Sequence, residues 1–293
     1  MHYLIPVLVF FVQYLDFSKA TSDDATKLCL FYAGTDMAEK VVTYLPWSGW
    51  NCDPGPPTDP CTSTTHWTGI TCSEGAVTAV SLPFTELGFH IEGNWTTDSL
   101  EKITSLTIIN LNDHRLKDQL PSFSSLQSLS KIIIGNNNFE GTVPDTFQSL
   151  TSLTTIDINN NNFDGELTPH STKLVMLHAQ GNQFSIFTPP SSGFTETNSM
   201  LDISNNKITG TIPNDVVSKY TGLTEFKVND NLFRYGRIAN HLFHYFFLRD
   251  TDSPPLSQWH FTLRPRTTEQ PANCRFFEQR ILWHCSIFIL HAL

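Results

Sequence analysis

The stretch KIIIGNNNFEGTVP, residues 131–144, sets three isoleucines against three asparagines and closes on Phe-x-Gly-x-Val-Pro. An apolar run ending in Asn and Gly reads as a short strand followed by a turn. The phrase returns as TTIDINNNNFDGELTP from Thr154 and as SMLDISNNKITGTIP from Ser199. A turn that recurs with the same residues at the same offsets is a repeat. Aligned on the asparagine, Leu129, Ile132, Ile134, Asn137 and Phe139 take offsets 1, 4, 6, 9 and 11. The same offsets hold Leu153, Ile156, Ile158, Asn161 and Phe163, then Leu174, Leu177, Ala179, Asn182 and Phe184. Two more units carry Asn206 and Asn231, one upstream unit has His114 in the asparagine place, and a looser first unit has Thr85.

From His114 onward the units follow one another at 23, 24, 21, 24 and 25 residues. The pattern L-x-x-L-x-L-x-x-N-x-L at that period is the leucine-rich repeat signature. Alternation at offsets 4 and 6 is a short strand with one buried face. One unit cannot bury that face alone, so the units stack into a parallel sheet over a shared core. The amide at offset 9 both donates and accepts, and so satisfies backbone groups that the turn leaves buried. Asn137, Asn161, Asn182, Asn206 and Asn231 are therefore expected to form a ladder along the stack.

After offset 11 comes Gly-x-Val/Ile-Pro, at Gly141–Pro144 and Gly210–Pro213, with one extra residue from Gly165 to Pro169. Asp118 and Ile186 stand in the glycine place of two other units. This phrase resembles the plant-type leucine-rich repeat. The segment PWSGWNCDPGPPTDPCTSTTHWTGITC, residues 46–72, resembles the amino-terminal cap of the same family, with Trp50, Asp59-Pro60-Cys61 and Trp67-Thr68-Gly69-Ile70-Thr71-Cys72 in order. The resemblance covers roughly residues 24–233 and implies a Cys61–Cys72 bridge, leaving Cys29 and Cys52 as the second pair. Plant receptor-like ectodomains, polygalacturonase-inhibiting proteins and protozoan surface antigens share these repeats. The expected fold is an α/β solenoid: a right-handed superhelix with a parallel concave sheet, irregular and partly 3₁₀ segments outside, and a disulfide-bonded helical cap.

The rest of the chain divides around the repeats. Residues 1–20 carry the short apolar run LIPVLVFFVQYL and small residues Ser18 and Ala20, the pattern of a secretory signal. Twelve apolar residues fall short of the roughly twenty that a spanning helix needs. Residues 21–76 form the cap and residues 77–233 about seven repeats. DATKLCLFYAGTDMAEKVVTYL reads as helical, broken near Gly34. In a secreted chain, six cysteines without a C-x2-C pair read as disulfides rather than a zinc site. Asn94-Trp95-Thr96 is the only N-glycosylation sequon.

Residues 234–293 break the pattern. Residues 1–233 hold ten Lys and one Arg, whereas the tail holds seven Arg and no Lys. Three readings stand: translation of intronic or shifted-frame sequence, a carboxy-terminal cap with Cys274 bridged to Cys285, and a lipid-anchor signal with a small-residue site near Ala272. Membrane association is expected only if the true carboxy terminus carries an anchor.

Function is expected on the concave face, at offsets 3, 5, 7 and 8. The candidate ligand-binding residues are Asn110, Asn112, Lys131, Ile133, Asp157, Asn159, His178, Gln180, Asp202, Ser204, Lys227 and Asn229, with Ile108, Met176, Met200 and Glu225 beside them. Asp157, His178 and Asp202 fall in one column, a pattern open to metal or acid–base chemistry. A concave surface has to be polar in any case, and no nucleophile motif, HExxH or P-loop accompanies the column. No catalysis, cofactor or metal is expected. The net charge of −10 argues against nucleic acid. The expected role is a secreted or surface-displayed module that binds protein, peptide or glycan, with a hydrolase inhibitor or a structural wall protein as the alternatives.

Overall fold

The computed structural model describes most of residues 23–233, with breaks at 41–48, 53–56, 63–66 and 211–219 and at a few single positions, together with the backbone of residues 260–265 and 284–289. The proposed signal, most of the tail and Cys274 lie outside the described residues.

Short strands recur once per repeat. Seven of them run parallel in one sheet: β2 (Ala76–Ser81), β4 (Ile108–Asn110), β6 (Lys131–Ile133), β8 (Thr155–Asp157), β10 (Met176–His178), β12 (Ser199–Asp202) and β13 (Leu223–Lys227). The cap strand β1 (Ile70–Ser73) pairs antiparallel with β2 at one edge. At the other edge, β14 (His260–Pro265) pairs antiparallel with β13, and β15 (His284–Ile289) runs parallel to β14. The inward residues follow the repeat: Leu129, Ile132 and Ile134 are fully buried, as are Leu153 and Ile158 with Ile156 at 1% exposure.

A second parallel sheet covers the side where irregular segments were expected. It contains β3 (Glu92–Asn94), β5 (Arg115–Asp118), β7 (Asn138–Thr142), β9 (Asn162–Leu167) and β11 (Gln183–Phe187). Strands β7, β9 and β11 each bury the offset-11 aromatic between polar neighbours, and β5 buries Leu116 there. Phe139, Phe163 and Phe184 are fully buried and stack in a file, with ring centroids 6.1 and 6.3 Å apart.

The Phe-x-Gly phrase acts through backbone conformation. Gly141 and Gly165 have φ of 74° and 71°, a region that side chains with a Cβ resist. Asp118, in the same place, adopts φ 67°, which Asp tolerates better than most residues. Ile186 does not take that conformation. A β-branched residue is strongly disfavoured there. The chain instead shifts register between Phe184 and Ile186 and leaves Ile186 49% exposed.

The cap closes the amino-terminal end of the core. Helix α1 (Asp23–Gly34) buries Ala25, Leu28 and Phe31. The chain then turns, and Thr35 bridges Gly93 of β3. Trp50 and Trp67 pack at 4.9 Å, and Phe31 meets Trp95 edge-on. Disulfides join Cys29 to Cys52 and Cys61 to Cys72, with Cα atoms 5.5 and 5.6 Å apart.

Candidate functional site

The asparagine run divides its work among its three members. Asn136 is the turn: its φ is 52°, and Asp113, Asn160, Asn205 and Asp230 at the same offset have φ of 61°, 47°, 52° and 53°. Asn137 is the ladder. Its Nδ2 donates to Leu111 O at 2.8 Å and its Oδ1 accepts from Leu116 N at 3.0 Å, both in the preceding repeat. Asn161, Asn182, Asn206 and Asn231 repeat the arrangement on Phe139, Phe163, Phe184 and Ile208 N–H groups. Asn138 is exposed at the start of β7.

His114 does the same job with a ring. Its Nδ1 accepts from Ile91 N at 3.1 Å, and its Nε2 donates to Leu82 O. Only the neutral ring offers one donor and one acceptor. Burial holds its pKa below the ordinary imidazole value, consistent with that form.

On the concave face, straight register places Ile133, Asp157, His178, Asp202 and Lys227 side by side on five strands. His178 Nδ1 lies 3.7 Å from Asp157 Oδ2, and Lys227 Nζ lies 3.6 Å from Asp202 Oδ2. Lys227 also pairs with Glu225. The hydrogen bond of His178 to Asp157 raises the His178 pKa above the ordinary value, against burial, which lowers it. For Lys227 burial lowers the pKa, and Glu225 with Asp202 outweighs it.

The acids of this column have a local task. Asp157 Oδ1 accepts the N–H of Asn159, and Asp202 Oδ1 accepts the N–H and hydroxyl of Ser204. Asn110 does the same for the N–H of Asn112. A side chain two residues back thus caps the backbone where each strand ends, which accounts for acids and amides at offset 5 without chemistry. Among the described residues no group of His, Cys, Asp and Glu is arranged to hold a metal ion.

Offset 7 is an amide column. The side-chain oxygens of Asn112, Asn159, Gln180 and Asn229 are buried and have no donor among the described residues. The Nδ2 of Asn112 donates to Asp113 and that of Asn229 to Asp230, which fixes how these two amides face. Gly135 and Ser204 interrupt the column, and a Cβ at Gly135 would lie 2.8 Å from both Asn112 Oδ1 and Asn159 Oδ1. At offset 3, Lys131 is exposed, while Ile108, Met176 and Met200 are half-buried beside the charged column, with Met176 and Met200 in register. Asn94 lies in β3, and Thr96 Oγ1 donates to Leu30 O of the cap helix.

An open cleft of about 470 Å³ at the turn beside the ladder escaped the sequence reading. Its walls include Lys117, Asp118, Asn138, Glu140, Asn160 and Asn162. The surplus of asparagines flanking the ladder was the available signal.

Fold and site together define a leucine-rich repeat solenoid with a disulfide-bonded amino-terminal cap. The Leucine Rich Repeat family model matches residues 128–150, 152–174 and 199–218. The repeats and the cap are similar to those of plant-type leucine-rich repeat proteins. It is 32% identical over 152 residues to Pollen receptor-like kinase 2 of Arabidopsis thaliana, covering 50% of this chain and 22% of the relative. It is 32% identical over 158 residues to Pollen receptor-like kinase 1 of the same plant, covering 53% of this chain and 22% of the relative. The chain thus spans about a fifth of the length of these curated relatives. The crystal structure of PEPR1–AtPEP1 shares the fold, with a TM-score of 0.51 at 23% identity over 73% of this chain and 32% of that one.

Proposed function

We propose that the protein is a non-catalytic recognition module, displayed outside the cell, whose concave face binds a peptide or an extended protein segment. The observation that carries this reading is the offset-7 column. Buried polar atoms normally have partners. Four side-chain oxygens on one face without a donor, at Asn112, Asn159, Gln180 and Asn229, suit N–H groups arriving from outside. Asp113 and Asp230 already orient the Asn112 and Asn229 amides, and the last torsion of an amide side chain is soft, so the Asn159 and Gln180 oxygens can turn to meet a donor. Beside them, Met176 and Met200 offer adaptable apolar contact and the Asp157–His178–Asp202–Lys227 column offers alternating charge. Two disulfides suit an oxidising compartment. The receptor-like kinases among its relatives support a role in recognition at the cell surface.

The test is peptide selection by phage display on the folded, disulfide-intact protein, followed by titration of the enriched peptide. The double variant Asp157→Ala with His178→Ala is expected to weaken binding at least tenfold, and Glu166→Ala in the second sheet to leave it unchanged. Failure to enrich any peptide, or enrichment of peptides indifferent to the double variant, refutes the concave site.

A further inference from the structure

We infer that the cleft between β5, β7 and β9 is a second binding site, for a neutral polyhydroxylated chain, that is, an oligosaccharide. The cleft belongs to the outer sheet and the turn, and takes no part in the concave face. Its floor is the ladder pair Asn137 and Asn161, whose amides are committed to backbone groups. Its walls have unused hydrogen-bonding capacity. Asn160 Nδ2 donates to Asn136 Oδ1 at 2.7 Å, and Asn162 Oδ1 accepts from Gln183. The Asn162 NH₂ group and the whole Asn138 amide have no partner among the described residues. Lys117 and Glu140, facing the same space, form no ion pair there either.

The chemistry of the walls selects the ligand class by exclusion. No apolar side chain lines the cleft, so it cannot anchor a hydrophobic side chain or a lipid. Asp118 and Glu140 against the single cation Lys117 disfavour a phosphate or uronate chain. What remains is a neutral ligand whose groups both donate and accept. Primary amides, carboxylates and an ammonium together match vicinal hydroxyls, each of which needs one donor and one acceptor. The site is also extended. Lys117 pairs in register with Asn138, and Glu140 with Asn162, so an amide recurs on successive strands, beside an ammonium in the first pair and a carboxylate in the second. A linear sugar chain crossing the strands would meet an amide on both β7 and β9, at Asn138 and Asn162.

The test uses the secreted, disulfide-intact protein and neutral hexasaccharides, cellohexaose and mannohexaose, with an oligogalacturonate as the anionic comparison. The side-chain amide NMR signals of Asn138 and Asn162 are expected to move and saturate with at least one neutral sugar. The double variant Asn138→Ala with Asn162→Ala removes several hydrogen bonds and is expected to weaken that binding by about tenfold or more. The melting temperature should hold, because both side chains are exposed. Asp157→Ala with His178→Ala should leave sugar binding unchanged, which separates this site from the concave one. The inference is overturned if neither neutral sugar moves these signals, if the oligogalacturonate binds better, or if binding survives the double variant.

Discussion

The three adjacent asparagines of the deciding stretch predict three different stabilities. Asn137→Ala removes the only side chain among the described residues that serves Leu111 O and Leu116 N. The other carbonyls it touches keep partners: Gly135 O accepts from Asp113 N, and Ile134 O from Asn161 Nδ2. Two backbone groups are thus left unpaired in a site 8% exposed. At about 1–3 kcal/mol for each such group, the loss is about 3 kcal/mol. Asn136→Ala loses a residue that tolerates φ 52°, at a cost of about 1 kcal/mol. Asn138→Ala removes an exposed side chain without a partner among the described residues, with an effect within about 0.5 kcal/mol. Guanidinium unfolding of the three variants and the wild type, followed by far-ultraviolet circular dichroism, ranks them directly. For a solenoid of this size the Asn137 variant should also melt about 6–12 °C lower. Equal costs at positions 137 and 138, or a cost below about 1 kcal/mol at 137, would show that the ladder does not carry the load assigned to it.

Two histidines give the protein opposing pH responses. His114 has a lowered folded pKa, so its contribution is full above 6.5 and is lost as pH falls, when the unfolded state takes up the proton first. His114→Asn restores the ladder amide and should flatten the loss of stability between pH 7.5 and 5.5, read from urea midpoints. His178 has a raised folded pKa, so its contribution is full below 6.5 and fades as pH rises through the folded value. Asp157→Asn should bring the His178 titration, followed by NMR, down toward the ordinary value; an unmoved titration refutes the pairing. Asp118→Gly should be neutral or stabilising by up to about 1 kcal/mol, because it relieves a side chain at φ 67°. Gly165→Ala should cost about 1–2 kcal/mol, since its Cβ would sit at φ 71° and 2.9 Å from Thr142 Cγ2; the reverse order of these two variants would remove the equivalence of the positions.

The concave sheet and the ladder were legible because both follow directly from repetition. Apolar residues at offsets 4 and 6 cannot be buried except by stacking, and an amide at a fixed buried turn has few other tasks. His114 could be read as a ladder residue because its ring presents one donor and one acceptor at the same offset. The division of labour within Asn136–Asn138 was not legible. All three are the same residue, and only the backbone torsion of the first and the depth of the second distinguish them. The outer sheet was hidden for a related reason. Strands β7, β9 and β11 bury one aromatic each, at Phe139, Phe163 and Phe184, with only Leu167 added at the end of β9, and so sparse a buried set among polar neighbours has no measurable period.

The two candidate sites differ in legibility because the two sheets differ in register. In the concave sheet, equal offsets are neighbours: Asp157 pairs with His178 and His178 with Asp202. Aligning the repeats therefore places the correct side chains together, and the charged column could be written down from the sequence. In the outer sheet, offset 12 of one repeat meets offset 10 of the next: Lys117 pairs with Asn138, Glu140 with Asn162, and Asp164 with Gln183. A column drawn at one offset separates Glu140 from Asn162, although they are neighbours on adjacent strands. The slanted pairs follow directly after the turn at Asn136 and its counterparts, whose backbone lies in the left-handed region. Each asparagine of the opening run thus bears on the cleft: the first makes the turn beside it, the second forms the floor, and the third provides the unpaired amide at the wall.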